Sequence, residues 1–279
     1  MSLLSPEALT AYIGPGDVVV VHRRGWRRTI AGGHILACAA AEANGKSDKP
    51  AYIAVAAALR GILAETGARR LDIVVSNHWV HYMVHAWRDD AADNEEQSLL
   101  ARMRFTEIYG PVADNWQVVM SDEAPGRPRL AAAIDGMLLG MLNDVATESG
   151  VTLNRVQPLL IGIANAALGQ YGQRGQKWIA VHESGRLTLA LLDGATWVWT
   201  RSQRVAVDWT NNFAGLLAQE ALLAGQDEST EAIIFAPLVS GKAIAARPGQ
   251  LAHLLAAPPF VGDGLGRPDP RFGYPLVFP

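Results

Sequence analysis

Three histidines, His78, His81 and His85, are the residues best able to hold a metal ion in this chain. On a helix, offsets of three and seven place all of them on one face. On a strand His78 faces away, and His81 and His85 lie about 13 Å apart, four residues at ~3.3 Å each, too far to share an ion. The preceding Ile73-Val74-Val75 and the aromatic and β-branched flanks favour the strand, and no Glu completes a His-Glu-x-x-His motif. Structural or interface histidines are therefore expected, with no metal site. On that strand Trp79, His81, Met83, His85 and Trp87 share a face, which serves either as core packing or as an interface anchor. Trp79, His81, Met83 and Trp87 are the candidate partner-binding residues.

Other chemistry-bearing motifs are incomplete. The basic turn His22-Arg23-Arg24-Gly25-Trp26-Arg27-Arg28 could meet phosphate, nucleic acid or an acidic helix, or simply keep a sheet edge soluble. Ser240-Gly241-Lys242 resembles the end of a phosphate loop. That loop needs Gly where Ala236 stands and Ser or Thr where Ala243 stands, so a plain turn is expected. Gly262, Gly264 and Gly266 lie in a proline-rich stretch without the strand and helix of a dinucleotide site. Gly136 and Gly140 have the spacing that admits a close helix neighbour, or ordinary internal packing. No Gly-x-Ser-x-Gly elbow and no nucleophile–base–acid set is visible, so no catalytic residue and no cofactor is assigned. The single cysteine, Cys38, sits among alanines and reads as a buried, inert thiol.

Composition narrows the class. The chain has 279 residues, 49% hydrophobic and 18% charged, enough to bury a sizeable core in one large domain or two lobes. A net charge of −3 gives no global attraction to nucleic acid or acidic membranes. Met1–Ile13 lacks the basic start and apolar core of a signal peptide, and no apolar run approaches the ~18–20 residues of a membrane span. A cytoplasmic protein is expected, with any attachment to the inner membrane made through a partner.

Local signals set the elements. Ser5-Pro6-Glu7 predicts a helix start. Val18–Val21 and Thr29–Ala37 predict a strand pair, and Val55, Leu59, Ile62 and Leu63 a helix stopped by Gly67. Leu71–Trp87 reads as one long strand or a bent pair. Asp93 with Glu96 caps a helix through Tyr109, and Trp116–Ser121 is a short strand. Apolar spacing from Leu130 to Val145 predicts one long amphipathic helix ending at Gly150. Gly169–Gln176 reads as a linker, Lys177–Val207 as three strands, Asn211–Gly225 as a helix and Ala232–Ala236 as a buried strand. Pro258–Pro279 should lack regular structure, an extended tail pinned by Phe272, Tyr274 and Phe278.

Residues 17–36 and 177–207 each combine short strands and tight turns with a following helix and strand, a duplication that resembles two-lobed proteins of the actin and sugar-kinase kind. That superfamily normally carries Asp and Gly in the first turn of each lobe. Here the turns read His22-Arg23-Arg24-Gly25 and His182-Glu183-Ser184-Gly185.

Residues 71–87, Leu-Asp-Ile-Val-Val-Ser-Asn-His-Trp-Val-His-Tyr-Met-Val-His-Ala-Trp, are similar to the strand pair that opens the inserted subdomain of actin-like type IV pilus assembly proteins (PilM-like). The cytoplasmic actin-like domain of the type II secretion system L protein has a similar stretch. The likeness extends over residues 17–240 through Glu95–Tyr109, Trp116–Ser121, Arg129–Gly150 and Val156-Gln157-Pro158.

The resemblance implies an α/β, actin-like (ribonuclease H-like) duplicated fold. Its first lobe spans 1–168 with an inserted α+β subdomain at about 76–150, its second lobe 169–257, and a Pro/Gly-rich tail 258–279. It also implies a non-enzymatic scaffold of a pilus or secretion assembly. Such a scaffold would bind the cytoplasmic tail of a bitopic inner-membrane protein in a groove between the first lobe and the insert, and contact an assembly ATPase. The Asp-x-Gly turns that the pilus proteins carry in both lobes are missing, which leaves little to organise Mg²⁺ between phosphates and brings the chain closer to the secretion-system relatives, where the fold acts as a docking platform. The alternatives are a divergent ATPase or kinase holding phosphate with Arg23, Arg24 and Lys242, and a metal enzyme built on the three histidines.

Overall fold

The computed structural model describes residues 7–24, 29–38, 52–91, 93–226, 231–239, 244, 251–257, 260 and 269–277. The chain opens with strands β1 (Ala8–Ile13), β2 (Asp17–Arg24) and β3 (Thr29–Ala37), helix α1 (Tyr52–Thr66) and β4 (Arg70–Val75). It continues through β5 (Val80–His85), α2 (Asn94–Tyr109), β6 (Trp116–Met120) and β7 (Arg129–Asp135), then α3 (Gly136–Glu148), β8 (Thr152–Pro158) and α4 (Leu159–Tyr171). The remainder is β9 (Gln176–Glu183), β10 (Arg186–Asp193), β11 (Thr196–Arg204), α5 (Phe213–Leu223), β12 (Glu231–Phe235), β13 (Leu251–Leu254) and α6 (Gly273–Leu276).

Two compact units result. One comprises Met1–Trp79, Gly136–Gly162 and Ala257–Pro279, the other Val80–Asp135 and Ile163–Ala256. The first holds a five-stranded sheet ordered β3-β2-β1-β4-β8, the second a five-stranded sheet ordered β11-β10-β9-β12-β13. In each, three strands meander antiparallel and two more join in parallel. The duplication expected from sequence is present, and it starts one strand earlier than the sequence reading placed it.

That strand is β1. The Ser-Pro-Glu signal predicted a helix beyond Glu7, yet Ala8–Ile13 pairs with β2 on one side and β4 on the other. Leu9, Ala11 and Ile13 on one face and Thr10 and Tyr12 on the other are all buried, so sheet pairing and two-sided burial override a local helix start.

A second correction concerns Leu130–Val145, where the apolar spacing is shared between a strand and a helix. β7 is the central strand of a three-stranded sheet ordered β5-β7-β6, and the chain turns helical only at Gly136. Gly140 has open space where a Cβ would be, so no close helix neighbour uses it. The expected linker is also shorter than read, because α4 runs on to Tyr171.

Residues 269–277 of the tail carry regular structure that its composition did not suggest. Pro270–Phe272 forms one 3₁₀ turn that leads into α6, and both pack on the first sheet. Tyr274 stacks on Tyr12 with centroids 4.4 Å apart, and Phe272 stacks on Phe260 at 4.0 Å. A Cβ at Gly33 would lie 2.5 Å from the Phe272 ring, so this aromatic pair requires glycine on β3. Phe278 lies outside the described residues, as do Gly25–Arg28 of the basic turn, Ser240–Lys242 and Gly262–Gly266. Within the turn's described part, Glu7 holds Arg24 at 2.8 Å and faces His22 at 3.3 Å. Cys38 is buried, and burial pushes its thiol pKa up.

Tyr274→Ala should lower unfolding stability by about 3 kcal/mol, read as a reduced urea midpoint with an unchanged slope. An unchanged midpoint would show that the tail contributes nothing to the first sheet.

Candidate functional site

The sheet β5-β7-β6 has two unlike faces. Register places His81, Met83 and His85 beside Ala133, Ala131 and Arg129 of β7, with Trp116, Val118 and Met120 of β6 continuing the row. Helix α2 covers this face through Gln97, Ala101 and Phe105, all fully buried. Asp93 fixes where α2 begins, its carboxylate accepting from Glu95 N–H at 2.8 Å and Glu96 N–H at 3.0 Å. Gly110, with φ of 77°, ends it.

The sequence-selected residues separate accordingly. His81 stacks flat on Trp116 with centroids 4.2 Å apart and tilts against Tyr109 at 4.6 Å; burial first, then Arg186, lowers its pKa. Met83 shares that face and packs against the cluster around Phe105. Trp79 is outside β5, in the turn 76–79, where its N–H donates to Ser76 O at 3.1 Å. In the same turn Asn77 Oδ1 accepts from Leu160 N–H at 3.1 Å, capping α4. Trp87 lies beyond β5. Its indole N–H donates to Asp89 at 2.9 Å, and the Arg129 guanidinium sits 5.0 Å from its ring. The structure thus brings together only His81 and Met83 of the four. Of the three histidines, His81 and His85 share β5 while His78 lies in the turn; among the described residues no three metal-ligating side chains cluster.

Outside its buried side α2 carries apolar residues among the exposed charges Glu95, Glu96, Arg102, Arg104 and Glu107. Leu99, Met103 and Ile108 are 56%, 53% and 52% exposed. Along its flank runs a groove of about 910 Å³, with Met83 on β5, Leu100, Met103 and Ile108 on α2, and Val198 and Trp199 on β11 among its lining residues. The Trp199 indole is fixed by its N–H donating to buried Glu220 at 3.1 Å. Sequence reading missed α2 and β11 as walls. The available signal was a helix whose apolar residues do not fit a single stripe.

The two hairpin turns that lead off the central strands are the other candidate site. In the second unit the β9/β10 turn follows His182-Glu183, as expected. In the first unit the equivalent hairpin is β1/β2, so its turn is Gly14-Pro15-Gly16, whereas His22–Arg24 are the last residues of β2 itself. The error came with the missed β1. Gly14 N–H donates to Asp17 O at 2.9 Å. The Asp17 carboxylate faces Arg271 of the tail at 3.4 Å, and burial pushes its pKa up against that guanidinium's pull. Glu183 is 1% exposed. His182 stacks on Trp209 at 4.8 Å, and burial pulls its pKa down to about 4.

No protein-family model and no curated protein sequence matches the chain. Solved structures do. The cytoplasmic domain of EpsL, an inner-membrane component of the type II secretion system of Vibrio cholerae, superimposes with a TM-score of 0.61 at 11% identity, over 97% of this chain and 92% of that one. A Bacteroides thetaiotaomicron protein of actin-like ATPase fold and unknown function gives 0.59 at 10% identity, over 90% and 91%. The PilM–PilN type IV pilus biogenesis complex gives 0.53 at 14% identity, over 78% and 68%. The fold is actin-like. The expected α/β, duplicated architecture is therefore correct.

His182 generates a pH prediction. Its folded pKa lies below the unfolded 6.5, so its neutral form is favoured in the fold. The associated stability is full above about pH 6.5 and lost as pH falls toward 4, amounting to about 3 kcal/mol. Urea midpoints measured between pH 7 and 4 should fall more steeply for the parent chain than for His182→Phe, and parallel curves would contradict the assignment.

Proposed function

We propose that this chain is a non-enzymatic scaffold on the cytoplasmic side of a type IV pilus or type II secretion-like assembly. It receives the short cytoplasmic tail of a bitopic inner-membrane protein and contacts an assembly ATPase. The likeness to the EpsL domain and to the PilM–PilN complex supports the setting. No described helix is long and apolar enough to cross a membrane.

One observation carries the non-enzymatic part: at both hairpin turns the chain's own side chains engage the groups that would otherwise face phosphate and metal. Asp17 is paired with Arg271, and the second turn is flanked by buried Glu183 and by His182 packed on Trp209. A metal–triphosphate needs free carboxylates and open backbone N–H groups at such turns. Asp17 also favours the competing reading, a divergent ATP-binding ATPase, because it is a carboxylate beside a Gly-x-Gly turn.

Isothermal titration of the purified chain with Mg·ATP distinguishes the two. No binding heat is expected up to millimolar nucleotide for the parent chain. Micromolar binding, or hydrolysis that Asp17→Asn abolishes, would establish the ATPase.

A further inference from the structure

The row of residues at the turn end of the second large sheet has unbalanced charge. Register sets Glu183 of β9 opposite Arg186 of β10, and Arg186 opposite Arg204 of β11. Glu183 compensates Arg186, and two guanidiniums directly across a ladder repel unless an anion joins them. Arg186 is half-buried; its Nη1 donates to Ser202 Oγ at 3.1 Å, and its Nε has no acceptor among the described residues. Arg204 is exposed and meets no carboxylate among the described residues. Arg201, the next cation on the strand, is occupied by Glu220 at 3.4 Å. The row therefore carries one positive charge in excess.

The same strand forms a wall of the apolar groove. Val198, Trp199 and Thr200 line it opposite Met83, Met103 and Ile108. Four residues of strand, about 13 Å, separate Thr200 from Arg204. β5 and β11 are both edge strands of their sheets and lie against each other, and among the described residues no ladder uses the backbone N–H and C=O groups on that side. An extended segment can take up such groups, whereas a helix has its own already paired.

We propose that the groove between α2, β5 and β11 docks an extended, acidic-and-apolar peptide segment of a partner protein. Its apolar side chains fill the space over Val198–Thr200, and a carboxylate about four residues away pairs with Arg204 and Arg186. This deepens the docking role proposed above and rests on it. It names a site that the sequence did not reveal, within a single compact unit.

The test is a display library of random dodecapeptides panned against the folded full-length chain, with recovered peptides synthesised and measured by fluorescence anisotropy. Recovered sequences should pair an apolar cluster with Asp or Glu about four residues away. Their affinity should fall at least tenfold between 50 and 500 mM salt. Arg204→Glu and Met103→Asp should each weaken binding at least tenfold, while Leu222→Asp, on the exposed side of α5, leaves it unchanged. Peptides that bind but ignore both substitutions would overturn this site and leave the docking role standing. A library that yields no binder would overturn both.

Discussion

The structure depends on a strand that must be buried on both faces, provided twice. β1 and β9 each lie in the middle of a five-stranded sheet, antiparallel to the next strand and parallel to a strand reached through a helix. Every side chain from Leu9 to Ile13 and from Lys177 to Glu183 is buried. With both faces covered, register is fixed, since a one-residue slip would exchange two apolar sets at once. The position of the hairpin turn that follows is then fixed too.

What this chain does with the turns follows from its own packing. In the first unit the tail brings Arg271 to Asp17 and Tyr274 to Tyr12. Asp269 steadies Arg271 from the other side and raises its pKa. In the second unit His182 packs on Trp209, and burial keeps it neutral. Surface capacity moves elsewhere, to α2 and the groove along its flank. α2 is anchored by buried Phe105 and Ala101 and leaves Leu99, Met103 and Ile108 exposed, the feature on which the docking proposal rests.

Much of this was legible in the sequence where one local rule and the tertiary structure agree. Asp93 capped α2 as read, and the alternation from Lys177 onward gave three strands with turns at the expected glycines. It failed where two rules competed. Ser5-Pro6-Glu7 carries a helix signal, but the following six residues have sheet neighbours on both sides that no local window contains. The apolar series from Leu130 to Val145 fits helical spacing because a strand buried on both faces passes straight into an amphipathic helix. Misplacing β1 then misplaced the first turn, and His22–Gly25 was examined for acids instead of Gly14–Asp17. Of the groove only Met83 was selected from sequence, since Met103, Trp199 and Arg204 are distant in sequence and only register brings the arginines together. Of the four residues selected, His81 and Met83 lie on the face that α2 covers, while Trp79 and Trp87 lie outside β5.

The central claim is that both hairpin turns are closed by the chain itself and do not respond to nucleotide. Hydrogen–deuterium exchange of the full chain with and without Mg·ATP addresses it directly. Unchanged protection across Gly14–Asp17 and His182–Arg186 is the outcome the account requires. Matched slowing of exchange at the two turns on adding nucleotide would contradict it.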